Sequence, residues 1–290
     1  MATYNNTETN FNPALWADFI QENLYNQSVG MKIANVKLKK YLDSGTVVHV
    51  PILGQLTMTA YVKGTDVTVQ TITTTDEYLM VDTQYESSVY LDDISIKQSK
   101  YALQEEVMKE QMYAIKNKLD SHILSQTILA ADTLDDGDMT GGGANGVAIT
   151  LTTSNVIEAF ETARAKLRAA NVEENGDFVA VVTPAVASII SQKAVGVGFN
   201  LAESAFKNGY AGDFCGFKIY ISNNLDVTTG TRKHLYIGKT GMISAAIQIA
   251  PTIRADRDPL KFGTIVKVLS IWGVKTFYKS RLQFLDFQIH

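Results

Sequence analysis

Apolar residues recur at helical spacing over the longest uninterrupted stretch of the chain, from about Asp93 to Ala131. Leu103, Val107, Ile115, Leu119 and Ile123 fall on one stripe, with Met108 and Met112 beside it. From Ala102 onward the stretch has neither Pro nor Gly and is rich in Leu, Ala, Glu, Lys, Gln and Met, the strongest helix formers. Glu105 stands four residues before Lys109, an orientation that supports a solvated helix face. Roughly thirty helical residues at ~1.5 Å each span about 45 Å, a rod that suits a long, flat subunit. Asp92 and Asp93 sit at the mouth of this helix, where carboxylates interact favourably with its dipole.

Before the helix the period changes to two. TVVHVPILG, TMTAYVKGTDVTVQTITTT and EYLMVDTQYESSVYLDD, between Thr46 and Asp92, alternate as strands do, and Lys63-Gly64-Thr65-Asp66 reads as a turn. The segment from Leu53 to Thr75 is Thr-rich and poor in large apolar residues, so it cannot wrap a core of its own. A lone two-stranded hairpin is marginal in water, and its unpaired edges invite association. It therefore lies either on the sheet of its own domain or across another subunit. The contacts expected in the second case are Leu53, Leu56, Tyr61, Lys63, Asp66 and Val69. Further upstream, Pro13 opens a short amphipathic helix through Trp16, Phe19, Ile20 and Leu24. It packs on its own domain or serves as an arm that docks on a neighbour through Trp16 and Phe19.

After the long helix, residues 132–146 form a loop-rich insertion, and the pattern then becomes mixed. Ser154 is placed to cap a helix carrying Val156, Phe160, Ala163 and Leu167. The apolar run 178–182 has the mark of a buried central strand, and Thr183-Pro184 starts another helix to about Gln192. Beyond a Gly-dotted loop at 196–212, strands are expected at 216–222 and 235–238. Residues 262–280 read as long strands with Gly263 and Gly273 at bulges or turns. No repeat of fixed period is present.

The chain has 290 residues, of which 46% are apolar and 19% charged, the composition of a folded protein with a real core. No apolar run reaches the ~18–20 residues a bilayer needs, and the polar N-terminus does not resemble a secretory signal. The single cysteine, Cys215, excludes an internal disulfide framework and fits a reducing cytoplasm. A net charge of −4, with no basic run longer than Lys37, Lys39 and Lys40, argues against tight phosphate binding. Gly238-Lys239-Thr240 ends like a phosphate loop, but Lys233 stands where the first Gly belongs. Asp132, Asp136 and Gly137 match a calcium loop, yet Leu134 and Gly143 occupy two ligand positions, so a solvated acidic loop is expected. His49, His122, His234 and His290 are scattered without metal spacing, and His122 is expected to be packed beside the helix stripe. No catalytic residue, cofactor or metal is expected.

The order of these parts resembles the major capsid protein of tailed phages, the Hong Kong 97-type fold. The resemblance is carried by GTVVHVPILGQLTM and YVKGTDVTVQ, by YLDDISIKQSKYAL leading into the long helix, and by NVIEAFETARAKLRAANVEENGDFVAVVTP. GYAGDFCGFKIYISNNL and the ending GTIVKVLSIWGVKTFYKSRL complete it. It implies an α+β chain with an N-terminal arm at 1–30, an extended β-hairpin loop at 43–80, and a peripheral domain with the spine helix at 80–153 and 256–290. An axial α/β domain would take 154–255. The implied partners are copies of the chain in hexamers and pentamers, a separate scaffolding protein, a portal, an optional decoration protein, and packaged DNA contacted weakly. A membrane is not among them. The implied location is the virion, after assembly in the host cytoplasm. A family member joins subunits covalently through a loop Lys; Lys63 matches by place, but its partners are not identifiable, and a shell without covalent bonds is expected. The alternative is an encapsulin-like compartment enclosing enzymes.

Overall fold

The computed structural model describes residues 28–42, 45–54, 56–67, 69–98, 103–173, 177–196, 210–225, 228–229, 232–277 and 284–289. The expected helix over Pro13–Leu24 lies outside them. In chain order the first elements are α1 (Gly30–Ile33), β1 (Val47–Leu53), β2 (Thr74–Met80), β3 (Thr83–Asp92), α2 (Asp93–Gln98) and α3 (Leu103–Ser125). Then come β4 (Asp132–Leu134), α4 (Val156–Ala169), β5 (Phe178–Val182), α5 (Pro184–Gly196), β6 (Tyr210–Phe214) and β7 (Phe217–Ile221). The last are β8 (Thr228–Thr229), β9 (Arg232–Lys239), β10 (Ile243–Arg257), β11 (Gly263–Thr276) and β12 (Phe284–Ile289).

Among the described residues the strands form three sheets. One has the order β4-β12-β9-β5-β7-β6 with β8 beside β9, a second has β10-β11-β3, and the third is the pair β1-β2. The apolar run at β5 is buried at every position, as expected, because it lies inside the largest sheet between β7 and β9. Val156, Phe160, Ala163 and Leu167 of α4 are fully buried. The Phe160 ring meets Phe214 and Phe287 edge-on at 5.3 and 5.8 Å, the favoured geometry for aromatic pairs. Cys215 and Gly216 turn β6 into β7 with φ of 47° and 81°, the left-handed pair that a two-residue hairpin requires. Burial and the nearby Glu161 charge push the Cys215 thiol up to about 11, so it stays protonated at neutral pH.

Several expectations are corrected. The long helix ends at Ser125 and not near Ala131, the 23 residues of α3 spanning about 35 Å, and the first amides of α2 are capped by Asp92 at 2.8 and 3.3 Å. Lys109 engages Glu106 at 2.9 Å, one position nearer than the expected Glu105. Ser154 does not cap α4; its hydroxyl meets Thr152, while Asn155 at the N-cap braces the preceding loop through Thr150 and Thr152. Gly273 marks no bulge. It sits within β11, where a Cβ would collide with the Met80 carbonyl, so the residue is small to let two backbones approach. The bulges lie on the facing strand, between Ile247 and Thr252 of β10, a strand the pattern did not reveal. Strand β10 runs from Ile243 to Arg257, and β4 and β12 lie in the same sheet as β5, β6, β7 and β9.

Helix α3 covers one face of the β10-β11-β3 sheet. Gln111 donates to the carbonyls of Ser87 and Val266, both at 3.2 Å, which ties the helix to two strands. Tyr85 stacks on buried Trp272 at 5.3 Å, and the Trp272 indole donates to His122 Nδ1 at 3.1 Å. An indole N–H only donates, so Nδ1 must be unprotonated. Burial, helped by Lys118 and opposed by Asp82, holds the His122 pKa below its usual value. Stability tied to this neutral ring is complete above pH ~6.5 and is lost as pH falls below it. We expect unfolding free energy to drop between pH 7.5 and 5.5 by at most about 1 kcal/mol, the worth of one hydrogen bond. In His122→Phe the drop should shrink; an unchanged pH slope in urea titrations would refute the assignment.

Candidate assembly surface

Among the described residues, the segment from Val47 to Met80 joins the hydrophobic cores at one end. Val48, Leu79 and Val81 join Leu42, Ala246 and Phe277 in a small core of their own. Val81 N donates to Thr46 O at 2.8 Å, and Gln248 reaches across to the carbonyls of Leu42 and Gly45. Antiparallel pairing runs from Val47↔Met80 to Leu53↔Thr74 and is extended once, by Gly54 N on Thr73 O at 2.8 Å. His49 meets Asp76 diagonally across this pair at 2.6 Å, with both side chains exposed.

Beyond Gly54 the expected strands do not form among the described residues. The two arms are held by Gln70, which brackets the backbone of Thr57, and by a tip turn in which Thr65 binds Val62 O through both its amide and its hydroxyl. Gly64 at φ 88° supplies the turn that the sequence pattern indicated. The described residues here lack the side-chain bulk and partner strands that sustain a ladder.

The side chains explain what is missing. Among the described residues between 54 and 73, none belongs to either hydrophobic core. Leu53, Leu56, Tyr61 and Val69 are exposed, Val69 at 89%, and Lys63 and Asp66 flank them on the turn. Met58, at 99%, and Val62, Val67 and Ile72 extend the same surface beyond the expected contacts. The alternation that singled out Tyr61 and Val69 applies to them equally. Trp16 and Phe19 lie outside the described residues. A concentration of exposed apolar side chains of this kind marks an interaction surface. Fully burying one Val or Leu is worth about 1.5–3 kcal/mol.

A second patch lies at the turn between β10 and β11, where Leu260 and Phe262 are 91% and 86% exposed and Ile94 of α2 is also exposed. Tyr90 holds this turn through its hydroxyl on Phe262 O at 3.1 Å, and Arg257 pairs with Asp93. Reading 262–280 as strand from its first residue hid this turn.

The root of the chain is set by Asp120. This fully buried carboxylate lies on α3 and accepts from Ser28 Oγ, Val29 N and Gly30 N at 2.9, 2.8 and 2.5 Å, and from Asn224 Nδ2 at 2.7 Å. A buried carboxylate is tolerated only when its lone pairs are so occupied. A Cβ at Gly30 would press on Asp120 and Ile123, so the chain enters the fold in close contact with α3.

The other chemical candidates fold into structure. Gly238 pairs in β9 with Val179 and Phe284, and Lys239 approaches Glu173 at 3.8 Å. The acidic insertion is exposed at Asp132 and over residues 140–145, as expected, while its other carboxylates are engaged. Asp135 caps the Asp136–Asp138 turn, Asp136 accepts from Gly143 N, and Lys166 binds Asp138 at 2.7 Å and Asp132 at 3.4 Å. Among the described residues no group of three His, Cys, Asp or Glu side chains is placed to hold a metal, and no helix is long and apolar enough to cross a membrane. His234 and Asp286 form a buried pair at 2.7 Å between β9 and β12, which spacing in the sequence could not reveal. Burial pushes the Asp286 carboxyl up, against the pull of His234.

A family profile described as "Phage capsid protein" matches residues 83–281. No curated protein matches the sequence. Among solved structures, one from Mycobacterium phage Che8 is similar over 96% of this chain and 97% of that one, with TM-score 0.75 and 22% identity. The capsid structure of the cyanophage P-SCSP1u matches over 96% and 93%, with TM-score 0.72 and 14% identity. The mature capsid of bacteriophage PhiM1 matches over 94% and 91%, with TM-score 0.70 and 13% identity.

Proposed function

The chain belongs to the phage capsid protein family, and from that premise we propose that it closes into an icosahedral tailed-phage head of hexamers and pentamers around packaged double-stranded DNA. One observation carries the reading: an extended loop that is rooted in the subunit at one end and offers bare apolar side chains along the rest. Such a loop gains stability only on a second body, and in a closed shell every copy supplies that body to another. Leu53, Leu56, Tyr61 and Val69 are the apolar contacts, with Lys63 and Asp66 fixing orientation, and Trp16 and Phe19 are the contacts of the arm at 1–30. Residues 43–80 then act as the extended loop, 80–153 and 256–290 as the peripheral unit, and 154–255 as the axial one. The role is structural and needs no enzymatic step.

A scaffolding protein, a portal and an optional decoration protein are the further partners, with assembly in the host cytoplasm. The mild acidity supports weak, sequence-independent contact with DNA, since a basic wall would hold incoming strands by counterion release. Electron microscopy of particles from cells making the protein should show closed shells of hexamers and pentamers, and boiling them in detergent should give a single subunit-sized band. A subunit that stays monomeric at high concentration with and without scaffold would overturn the reading, and protein cargo in place of DNA would redirect it to an enzyme compartment. A ladder of large bands would refute the non-covalent shell.

A further inference from the structure

Between α1 and the root of the loop the chain carries charge of one sign only. Lys32, Lys37, Lys39 and Lys40 are all exposed, and no acidic residue stands between Ser28 and Leu42, in a chain whose net charge is −4. Among the described residues none of the four meets a carboxylate, whereas Lys109, Lys166, Lys239, Lys267 and Lys275 each approach one at 2.7–3.8 Å. The backbone beneath them is fixed. Asn35 N donates to Ile243 O at 2.7 Å, Ala245 N to Asn35 O at 3.0 Å, and Gly241 N to Ile33 O at 2.7 Å. Ile33 and Leu42 are buried on either side. Residues Lys37–Tyr41 form a 3₁₀ turn, which sets Lys37 and Lys40 on the same side, about 6 Å apart along its axis. Like charges held this close repel each other, so the arrangement is most favourable when an anion of several charges lies across it.

We propose that these four lysines are where the subunit meets the phosphate backbone of duplex DNA inside the shell. The choice of DNA as the polyanion rests on the chain's role as a head protein. All four cations are lysines rather than arginines. An ammonium on a flexible stem meets any phosphate oxygen as a point charge, without the planar fork that fixes a geometry, and such contacts carry no sequence information. Tyr41, 60% exposed with Lys40 4.7 Å from its ring centroid, adds a hydroxyl that donates to phosphate oxygens. Ile33 and Leu42 turn into the fold, so the segment presents mainly charge, a poor seat for the apolar face of an acidic amphipathic helix. A few phosphates per copy make a weak contact, in keeping with the overall acidity, and repetition over many copies multiplies it.

Titrating the full-length subunit with a fluorescent DNA duplex at several salt concentrations tests the contact without any shell. Neutralising four phosphates should give log K against log salt a slope of about −3.6, at roughly 0.9 per phosphate. Lys39→Gln with Lys40→Gln should halve the slope to about −1.8. Lys63→Gln with Lys261→Gln removes the same charge elsewhere and should leave it unchanged. No binding at low salt, a slope that ignores the first pair, an equal fall with the second, or tighter binding to poly-glutamate than to the duplex overturns the proposal. In DNA-filled heads, Lys39 and Lys40 should acetylate more slowly than in heads emptied of DNA; equal rates would place the DNA elsewhere. Shells that close around DNA with an unchanged slope would remove this contact and leave the head reading intact. A halved slope in a chain that never closes would keep the contact and remove that reading.

Discussion

Replacing residues 54–73 by a two-residue turn should leave a folded subunit that no longer closes into shells. The folded state survives because no described side chain in that span belongs to either core, and the root, held by Val48, Leu79 and Val81, is untouched. Assembly fails because the span carries the exposed apolar side chains from Leu56 to Ile72, each worth about 1.5–3 kcal/mol when fully buried. Even a fraction of that sum, repeated at every contact, exceeds the ~1.4 kcal/mol that changes an association constant tenfold. Circular dichroism and the urea midpoint should stay close to those of the intact chain, while sedimentation shows the subunit alone. A milder variant, Leu56→Asp with Val69→Asp, should lower shell yield without abolishing it. Full shell yield from the shortened chain would remove the loop from the assembly mechanism.

Asp120→Ala should be among the most damaging single changes in the chain, at about 3–5 kcal/mol. The substitution leaves the amides of Val29 and Gly30 and the Asn224 side chain without their acceptor, and each buried orphan costs about 1–3 kcal/mol. Asp120→Asn keeps one carbonyl oxygen for the amides but turns a second donor toward Asn224, so it should lose roughly half as much. A third variant separates a structural anchor from mere bulk: Asp120→Leu preserves volume and should be no better than Ala. Urea denaturation measures the loss. Protease cleavage just before Ser28 reports whether the chain's first described residues come away from α3. If Asp120→Leu were as stable as the parent, the four hydrogen bonds would not be the source of the anchoring.

Much of this architecture is legible in the sequence. The stripe through Ile115, Leu119 and Ile123 is the buried face of α3, and the run 178–182 is an interior strand. The four apolar positions of α4 are all core. These succeed because one period, sustained over several turns or confined to five apolar residues, has a single packing solution. The misses have physical reasons. The 15-residue β10 escaped notice because its bulges break the alternation, and its outer half is exposed on most positions. Gly273 was ambiguous because a missing side chain serves a bulge and a close crossing equally well. Asp120 carried a usable signal, an acidic residue wedged between Leu119 and Ile123 on the apolar stripe, and such a residue on a buried face must have donors waiting for it. The pairing of His234 with Asp286, across 52 positions, had no local sign at all.

The loop surface was legible for a different reason. Its Thr-rich texture, short of bulky residues, is a poor prescription for a core, and the exposure of Tyr61, Val69 and the turn at Lys63 follows from that shortage. The tip at Leu260 and Phe262 was hidden by the same rule, since two apolar residues beside a long strand read as its continuation.

The contact at Gly273 has a mechanical consequence. Because the Met80 carbonyl rests directly on the β11 backbone there, the loop leaves the body at an angle set by bare main chain rather than by a deformable side chain. Strand β2 carries the loop about 20 Å outward from Met80 to Thr74, so a ten-degree tilt at that pivot moves Thr74 by about 3.5 Å and everything beyond it further. Residue 273 is thus the fulcrum of a lever, and a single methyl group inserted under it would alter the curvature at which neighbouring copies meet.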